Sequence, residues 1–127
     1  MSMYIPEQVE KEFKKLRKSI CCNSLPKTKD VDTTTYTLIK TDASKILKTT
    51  SGSATTINIP LNSSVTFPIG TIIFVEQWGA GQVTFDPAVG VTLNSEGGAD
   101  KLAAQYGGAY IRKDDTNTWI LIGNITV

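Results

Sequence analysis

Two hydrophobic patterns divide the chain near residue 23. Residues 4–20 read YIPEQVEKEFKKLRKSI, in which apolar side chains recur every three or four positions. This spacing predicts a helix of about 15 residues with one narrow apolar stripe. Acidic residues precede basic ones, an order that complements the helix dipole, and Pro6 suits a first helical turn. The stripe is formed by Ile5, Val9, Phe13, Leu16 and Ile20.

The same patterning predicts three regions. Residues 1–22 are expected to be a helical anchor or oligomerisation segment, because a stripe so short needs a partner surface or its own β-domain to pack against. Residues 23–35 are polar, contain one proline and show no periodicity, so we expect a linker. Residues 36–127 are expected to form a β-domain.

The pattern in the β-domain predicts seven or eight short strands, with a turn about every ten residues. Without helical patterns between them, these strands predict an antiparallel sandwich, jelly roll or small barrel. The near-continuous apolar run TIIFVEQW (71–78) is typical of a central strand buried on both faces. Pro60 marks an edge strand or a strand end, because proline cannot donate to a β-ladder. Residues 104–114 and 118–127 are expected to pair as the last hairpin.

The composition of the chain excludes several classes of site and of partner. The formal net charge is +1 and 20% of residues are charged, so nothing requires a nucleic-acid partner. The chain contains no histidine, which excludes a His-dependent triad or a His-containing zinc site. Its two cysteines, Cys21 and Cys22, are adjacent, a spacing that favours free thiols or bridges between chains. No apolar run approaches a membrane span, no signal peptide is evident, and we expect neither a cofactor nor a metal.

Candidate chemistry concentrates between residues 76 and 110. Gly79 and Gly81 lie between two β-runs, and a phosphate loop would need a helix after them, so we interpret them as turn glycines of a tight hairpin. Glu76 and Trp78 share a face, which is an ingredient of sugar sites. A glycosidase also needs a second carboxylate, and Asp86 is the nearest in sequence. We expect no catalytic residue here.

Three other features have simple interpretations. Tyr106 and Tyr110 in QYGGAY, together with Trp78, are possible ligand-stacking or interface aromatics. Trp119 is expected in the core or an interface. Asp114 and Asp115 form a weak calcium signal that a turn alone explains.

The order of these segments resembles a β-domain found in tailed-bacteriophage virion appendages, the capsid fibres and tail fibres. The resemblance covers about residues 35–125. Its most specific pieces are Phe67-Pro68-x-Gly70-Thr71, Gln77-x-Gly79-Ala80-Gly81-Gln82-Val83-Thr84-Phe85, Gly90-Val91-Thr92-Leu93 and Asn117-x-Trp119-x-Leu121-x-Gly123. It implies a non-enzymatic structural module, often trimeric and carried on a stalk or anchor.

These features lead to three hypotheses for the function of the protein. The first is a short homotrimeric head fibre or decoration protein, made in the bacterial cytoplasm and held in the virion by residues 4–22, which bind the capsid or another virion protein. The second is a tail-fibre or receptor-binding tip that binds host carbohydrate through Trp78 or Tyr106. The third is a depolymerase or hydrolase, for which the chain lacks a convincing carboxylate pair. Nothing indicates binding to nucleic acid or membrane.

Overall fold

The computed structural model describes residues 25–127 and, apart from them, Lys11. The predicted helix and its apolar stripe therefore lie outside the described residues. The described part is mainly β and forms a six-stranded and a five-stranded sheet. Its strands are β1 (Thr28–Val31), β2 (Thr35–Thr37), β3 (Ile46–Thr49), β4 (Thr55–Ile59), β5 (Ile72–Gln77), β6 (Val83–Pro87), β7 (Thr92–Ser95), β8 (Lys101–Leu102), β9 (Gly108–Asp115), β10 (Thr118–Gly123) and β11 (Ile125–Thr126).

Strands β1 to β9 alternate between the two sheets, and β10 then stays in the same sheet as β9. The six-stranded sheet has the order β1-β3-β5-β9-β10-β7, and the five-stranded sheet has the order β11-β8-β6-β4-β2. The first six strands therefore wind as three successive coils. Each coil consists of one strand from the six-stranded sheet and the following strand from the five-stranded sheet. Because the coils stack in the same direction, β1, β3 and β5 pair in parallel, as do β2, β4 and β6.

The prediction of a β-fold is confirmed, but the prediction of an antiparallel fold is wrong. Both sheets are mixed, and the parallel pairs include β7 with β10. Short connections suggested hairpins, yet most of them cross from one sheet to the other, so the strands that they join do not pair. The last hairpin is as expected, because β9 and β10 are antiparallel neighbours.

Part of the predicted linker is also a strand. β1 lies entirely within residues 23–35, where no periodicity was visible. Only Val31 of this strand is fully buried, because β1 is the outermost strand of its sheet. An edge strand of four residues with polar side chains leaves little pattern in the sequence.

The core lies between the inner faces of the two sheets. Its residues alternate with outward ones along each strand, as the pleat requires. β5 follows this rule, so the prediction that it is buried on both faces is wrong: Ile73 and Val75 are buried, whereas Phe74 faces outward. β4 ends at Ile59, before Pro60, as its proline predicted. Trp119 lies in the core and packs edge-on against Phe67, with ring centroids 5.6 Å apart.

The connection between β5 and β6 stacks directly on the connection between β3 and β4. The backbone N–H of Gly79 donates to Thr49 (2.9 Å), and that of Gly81 donates to Ser51 (3.1 Å). A Cβ atom on Gly79 would overlap the Ser51 carbonyl oxygen, and one on Gly81 would overlap that of Ser53. Glycine is required here by close backbone approach between coils.

The prediction that Gly79 and Gly81 form a hairpin turn with positive φ is wrong. β5 and β6 belong to different sheets, and neither glycine is among the residues with positive φ. The buried Gln77 side chain also holds the connection: its amide donates to Gly79 (3.3 Å) and accepts from the Val83 N–H (3.2 Å).

We expect Gly81→Ala to lower the free energy of unfolding by about 3 kcal/mol, because the added methyl group must force two coils apart. Gly52→Ala is the matched control, since a Cβ there meets no atom within 4 Å, and it should change stability by less than about 0.5 kcal/mol. Urea denaturation of both variants measures the difference. Equal effects would contradict the stacking explanation.

A polar network closes the first coil. Lys29 Nζ donates to the Tyr36 hydroxyl (2.6 Å), which donates to Asp42 Oδ2 (2.7 Å). The buried Asp42 also accepts from the Ile39 N–H (2.9 Å). The strand register pairs Lys29 with Leu47 and Tyr36 with Ile57. The Lys29 and Tyr36 side chains are apolar along their length and polar at the end, so they cover the end of the apolar core.

The network raises the pKa values of two of its side chains. The hydrogen bond to Tyr36, reinforced by the Asp42 charge, raises the pKa of Lys29 above 10.5. Burial, together with the bond donated to Asp42, raises the pKa of Tyr36 above 10.0. A raised folded-state pKa contributes stability that is complete below the unfolded pKa and lost as pH rises through the folded value.

Tyr36→Phe should therefore lower the free energy of unfolding near neutral pH by about 1 kcal/mol, the net contribution of a hydrogen bond. The difference from wild type should shrink above about pH 10, where the phenol ionises more readily in the unfolded chain. Urea denaturation across this pH range measures it. A difference that stays constant with pH would refute the role given to Tyr36.

Candidate functional site

Part of the outer face of the six-stranded sheet is apolar. The β-register places Ile46, Phe74, Tyr110 and Ile122 in one row across four strands. Ile72 and Ile120 flank Arg112 in the next row. We call the six apolar residues the apolar sheet face: Ile46, Ile72, Phe74, Tyr110, Ile120 and Ile122.

This face is open to solvent. Phe74 is 37% and Ile122 41% exposed, although both are large hydrophobic residues on regular strands. The rings of Phe74 and Tyr110 pack at 5.8 Å, beside a hollow of about 240 Å³ lined also by Ile46 and Ile122. Contiguous apolar residues on strands, as distinct from scattered ones, mark interaction surfaces.

Charged residues border the apolar sheet face on both sides. On one side the register aligns Asp30, Lys48 and Glu76 across three neighbouring strands, so the signs alternate. On the other side Arg112, which lies between Ile72 and Ile120, approaches Asp114, with 3.7 Å between nitrogen and oxygen. An apolar centre surrounded by a polar, solvent-accessible rim is typical of a protein–protein interface.

An aromatic cluster continues the same side of β5. Trp78 is 47% and Tyr106 is 73% exposed, and their rings meet edge-on with centroids 5.9 Å apart. The indole N–H of Trp78 donates to Glu76 Oε1 (3.1 Å), and Lys48 Nζ lies 4.1 Å from the Trp78 ring centroid. The Gln105 amide donates to the Trp78 carbonyl (3.0 Å).

Tyr106 is held in a conformation that is rare for residues other than glycine. Its φ is 63°, and its N–H donates to the Gln77 carbonyl (2.6 Å). Positive φ at a bulky residue costs energy and is over-represented at functional positions. The cost is offset by backbone bonds that fix the 104–107 turn, including Gly107 N–H to Ala104 (3.0 Å).

The three aromatics expected as ligand or interface residues fall into two groups. Trp78 and Tyr106 are in contact, whereas Tyr110 packs on Phe74 within the apolar sheet face. Glu76 and Trp78 share a face, as the spacing of two residues predicted. Ile46 and Ile122 were not singled out from the sequence, because their outward direction depends on strand register.

The carboxylates considered for catalysis are apart. Glu76 lies on β5 in the six-stranded sheet, and Asp86 lies on β6 in the five-stranded sheet. Alternation directs both side chains away from the core between the sheets, so they project to opposite sides. Asp115 accepts from the Thr116 N–H (2.8 Å), a local bond of the β9–β10 turn. Within residues 25–127, no cluster of three or more potential metal-ligating side chains occurs.

A buried lysine is another feature that sequence reasoning missed. Lys113 is 2% exposed and donates to Asn62 Oδ1 and to the Phe67 carbonyl (2.8 Å). Removal from water lowers the pKa of Lys113 below its ordinary value. Asn62 is held in turn by its N–H, which donates to Asn117 Oδ1 (2.9 Å). This lysine therefore ties the loop after β4 to the last hairpin.

Comparison with protein-family models, with curated proteins and with solved structures finds no match. Among the described residues, no helix has the length and hydropathy needed to span a membrane.

Proposed function

We propose that this chain is a non-enzymatic structural protein of a tailed-phage virion. In this proposal it is a short homotrimeric head fibre or decoration protein, with residues 4–22 bound to the capsid or another virion protein and the β-domain projecting outward. The observation that carries the proposal is the apolar sheet face. The resemblance of residues 35–125 to virion appendage domains supports the proposed location in a virion and the proposed trimeric state.

The apolar sheet face gives the homotrimer a physical basis. Burying Phe74 and Ile122 against a neighbouring copy would remove their apolar surface from water, at about 25 cal/mol per Å². The rim carries both charge signs, so copies arranged around a threefold axis can place Lys48 or Arg112 near a neighbour's carboxylate. Trp78 adjoins this face and serves as an aromatic anchor of the interface.

Phe74→Glu should convert the trimer into a folded monomer, because it places three uncompensated charges in the interface. Sedimentation equilibrium measures the mass, and circular dichroism checks that the fold is kept. Val89→Glu is the matched control: Val89 is 96% exposed, lies outside the apolar sheet face and should leave the trimer intact.

The same variants test the virion role. Mass spectrometry of particles purified from a phage-producing lysate should find the wild-type chain and Val89→Glu, and should find Phe74→Glu depleted. A wild-type chain that sediments as a monomer at micromolar concentration would refute assembly. A trimer that is absent from particles would refute the virion role alone.

The second candidate is a receptor-binding tip that recognises host carbohydrate. It is favoured by the exposed Trp78–Tyr106 pair with Glu76, Lys48 and Gln105 beside it, since sugar rings stack on aromatic faces and bond to carboxylates and amides. Lys48 already occupies a position over the indole ring, which leaves Tyr106 as the more accessible ring.

This candidate predicts binding on a glycan array that is lost in Tyr106→Ala and retained in Tyr36→Phe. The loss follows from removal of the exposed stacking surface. An array without hits, together with normal trimer formation, would eliminate the tip and leave the structural role.

A further inference from the structure

The apolar sheet face contains a hollow that can receive one large side chain. The hollow has a volume of about 240 Å³, and Phe74, Tyr110 and Ile122 are among the residues that line it. Gly108 leaves this space open, because it alternates with the buried Ala109 along β9 and so occupies an outward position without a side chain. The face therefore offers a shaped apolar recess to whatever covers it.

The N-terminal part of the chain joins the six-stranded sheet at the border of this face. Thr28, the first residue of β1, is paired with Ile46, and the Ile46 N–H donates to the Lys27 carbonyl (2.8 Å). Ile46 is also the first residue of the apolar row that crosses the sheet. Residues 21–27 can extend over at most about 25 Å, which exceeds the distance of about 19 Å from β1 to β10. The residues before them can therefore lie on the face.

We call residues 5–20 the N-terminal segment; apart from Lys11 they lie outside the described residues. The sequence predicts a helix of about 22 Å for this segment. That length is enough to cross the row from Ile46 to Ile122, which spans four strands and about 14 Å. Phe13 is the largest side chain of the predicted apolar stripe and the third of its five members. It is therefore the side chain best suited to the central hollow.

The charges of the N-terminal segment complement those of the face when the segment leads into β1 by the shorter route. Its last turns, which include Arg17, would then lie nearest to Asp30 on β1 and Glu76 on β5. Its earlier turns, which include Glu10, would lie towards β9, where Arg112 projects. Opposite charges at the rim of an apolar contact favour one direction of packing over the other.

We propose that the N-terminal segment covers the apolar sheet face of its own chain until a virion protein binds the segment. The face is then released to the neighbouring copies of the trimer. This inference rests on the proposed function, because the trimer uses the same face and the virion protein binds the same segment. A tethered segment has an effective concentration in the millimolar range, so even weak packing competes with copies present at micromolar concentration.

Replacement of Phe13 by the photoreactive p-benzoylphenylalanine in the full chain tests the contact. Irradiation below the concentration at which the trimer forms should crosslink position 13 within one chain, and peptide mass spectrometry should locate the crosslink at Phe74, Tyr110 or Ile122. The same probe in place of Lys18 is the control. The predicted helix places Lys18 opposite the apolar stripe, so this probe should give no crosslink to the face.

Phe13→Glu tests the competition. It should lower the concentration at which the full chain forms trimers by about tenfold, a typical size for coupling between two binding events, because the charged segment no longer occupies the apolar face. Lys18→Gln changes the net charge by the same amount and should trimerise like wild type. Sedimentation equilibrium over a series of protein concentrations measures all three chains.

Three results would overturn the inference and leave the trimer standing: no crosslink from position 13 to the face, crosslinks found only between chains, or a Phe13→Glu chain that trimerises at the wild-type concentration. A crosslink within one chain, together with no trimer of either wild type or Phe13→Glu, would instead refute the trimer and retain the covering of the face. Failure of the inference is thus distinguishable from failure of the proposed function.

Discussion

The stacking of one connection between the sheets on the next governs the arrangement of both sheets. Each coil must lie at β-pairing distance from its neighbour in both sheets, so the segments that join the sheets are also forced together. At Gly79 and at Gly81 the backbones meet so closely that a Cβ atom does not fit. Gly79 and Gly81 therefore permit the parallel pairing of β3 with β5 and of β4 with β6, and the Gln77 side chain holds the same segment from inside.

In-register stacking also decides what each outer surface contains. Residues at equivalent positions of successive coils form rows, so the composition of a few positions is repeated across a sheet. On the six-stranded sheet one such row is apolar, from Ile46 through Phe74 to Tyr110. On the five-stranded sheet the corresponding outward row is Thr35, Thr56 and Thr84. One side is thereby suited to contact with protein and the other to contact with water or polar ligands.

The ends of the stack need different chemistry, because an end coil has a neighbour on one side only. Lys29, Tyr36 and Asp42 close the first coil with a connected set of hydrogen bonds, and all three polar ends are satisfied. Lys113 plays a comparable part near the β9–β10 hairpin, where Asn62 and the Phe67 carbonyl receive its ammonium group. Buried polar groups that are fully bonded in this way fix the positions of loops that have little apolar surface of their own.

The β-class, the last hairpin, the end of β4 before Pro60, and the shared face of Glu76 and Trp78 could all be predicted from the amino-acid sequence. These features depend on residues near one another in the chain, through proline geometry and the two-residue period of a strand. Three further features could be seen only in the folded protein: the sheets are mixed, Gly79 and Gly81 permit close stacking of the coils, and Phe74 lies with Ile122 on an open apolar face. All three depend on which strands become neighbours, and the pairing of distant strands is set by the packing of the whole core, which no local pattern encodes.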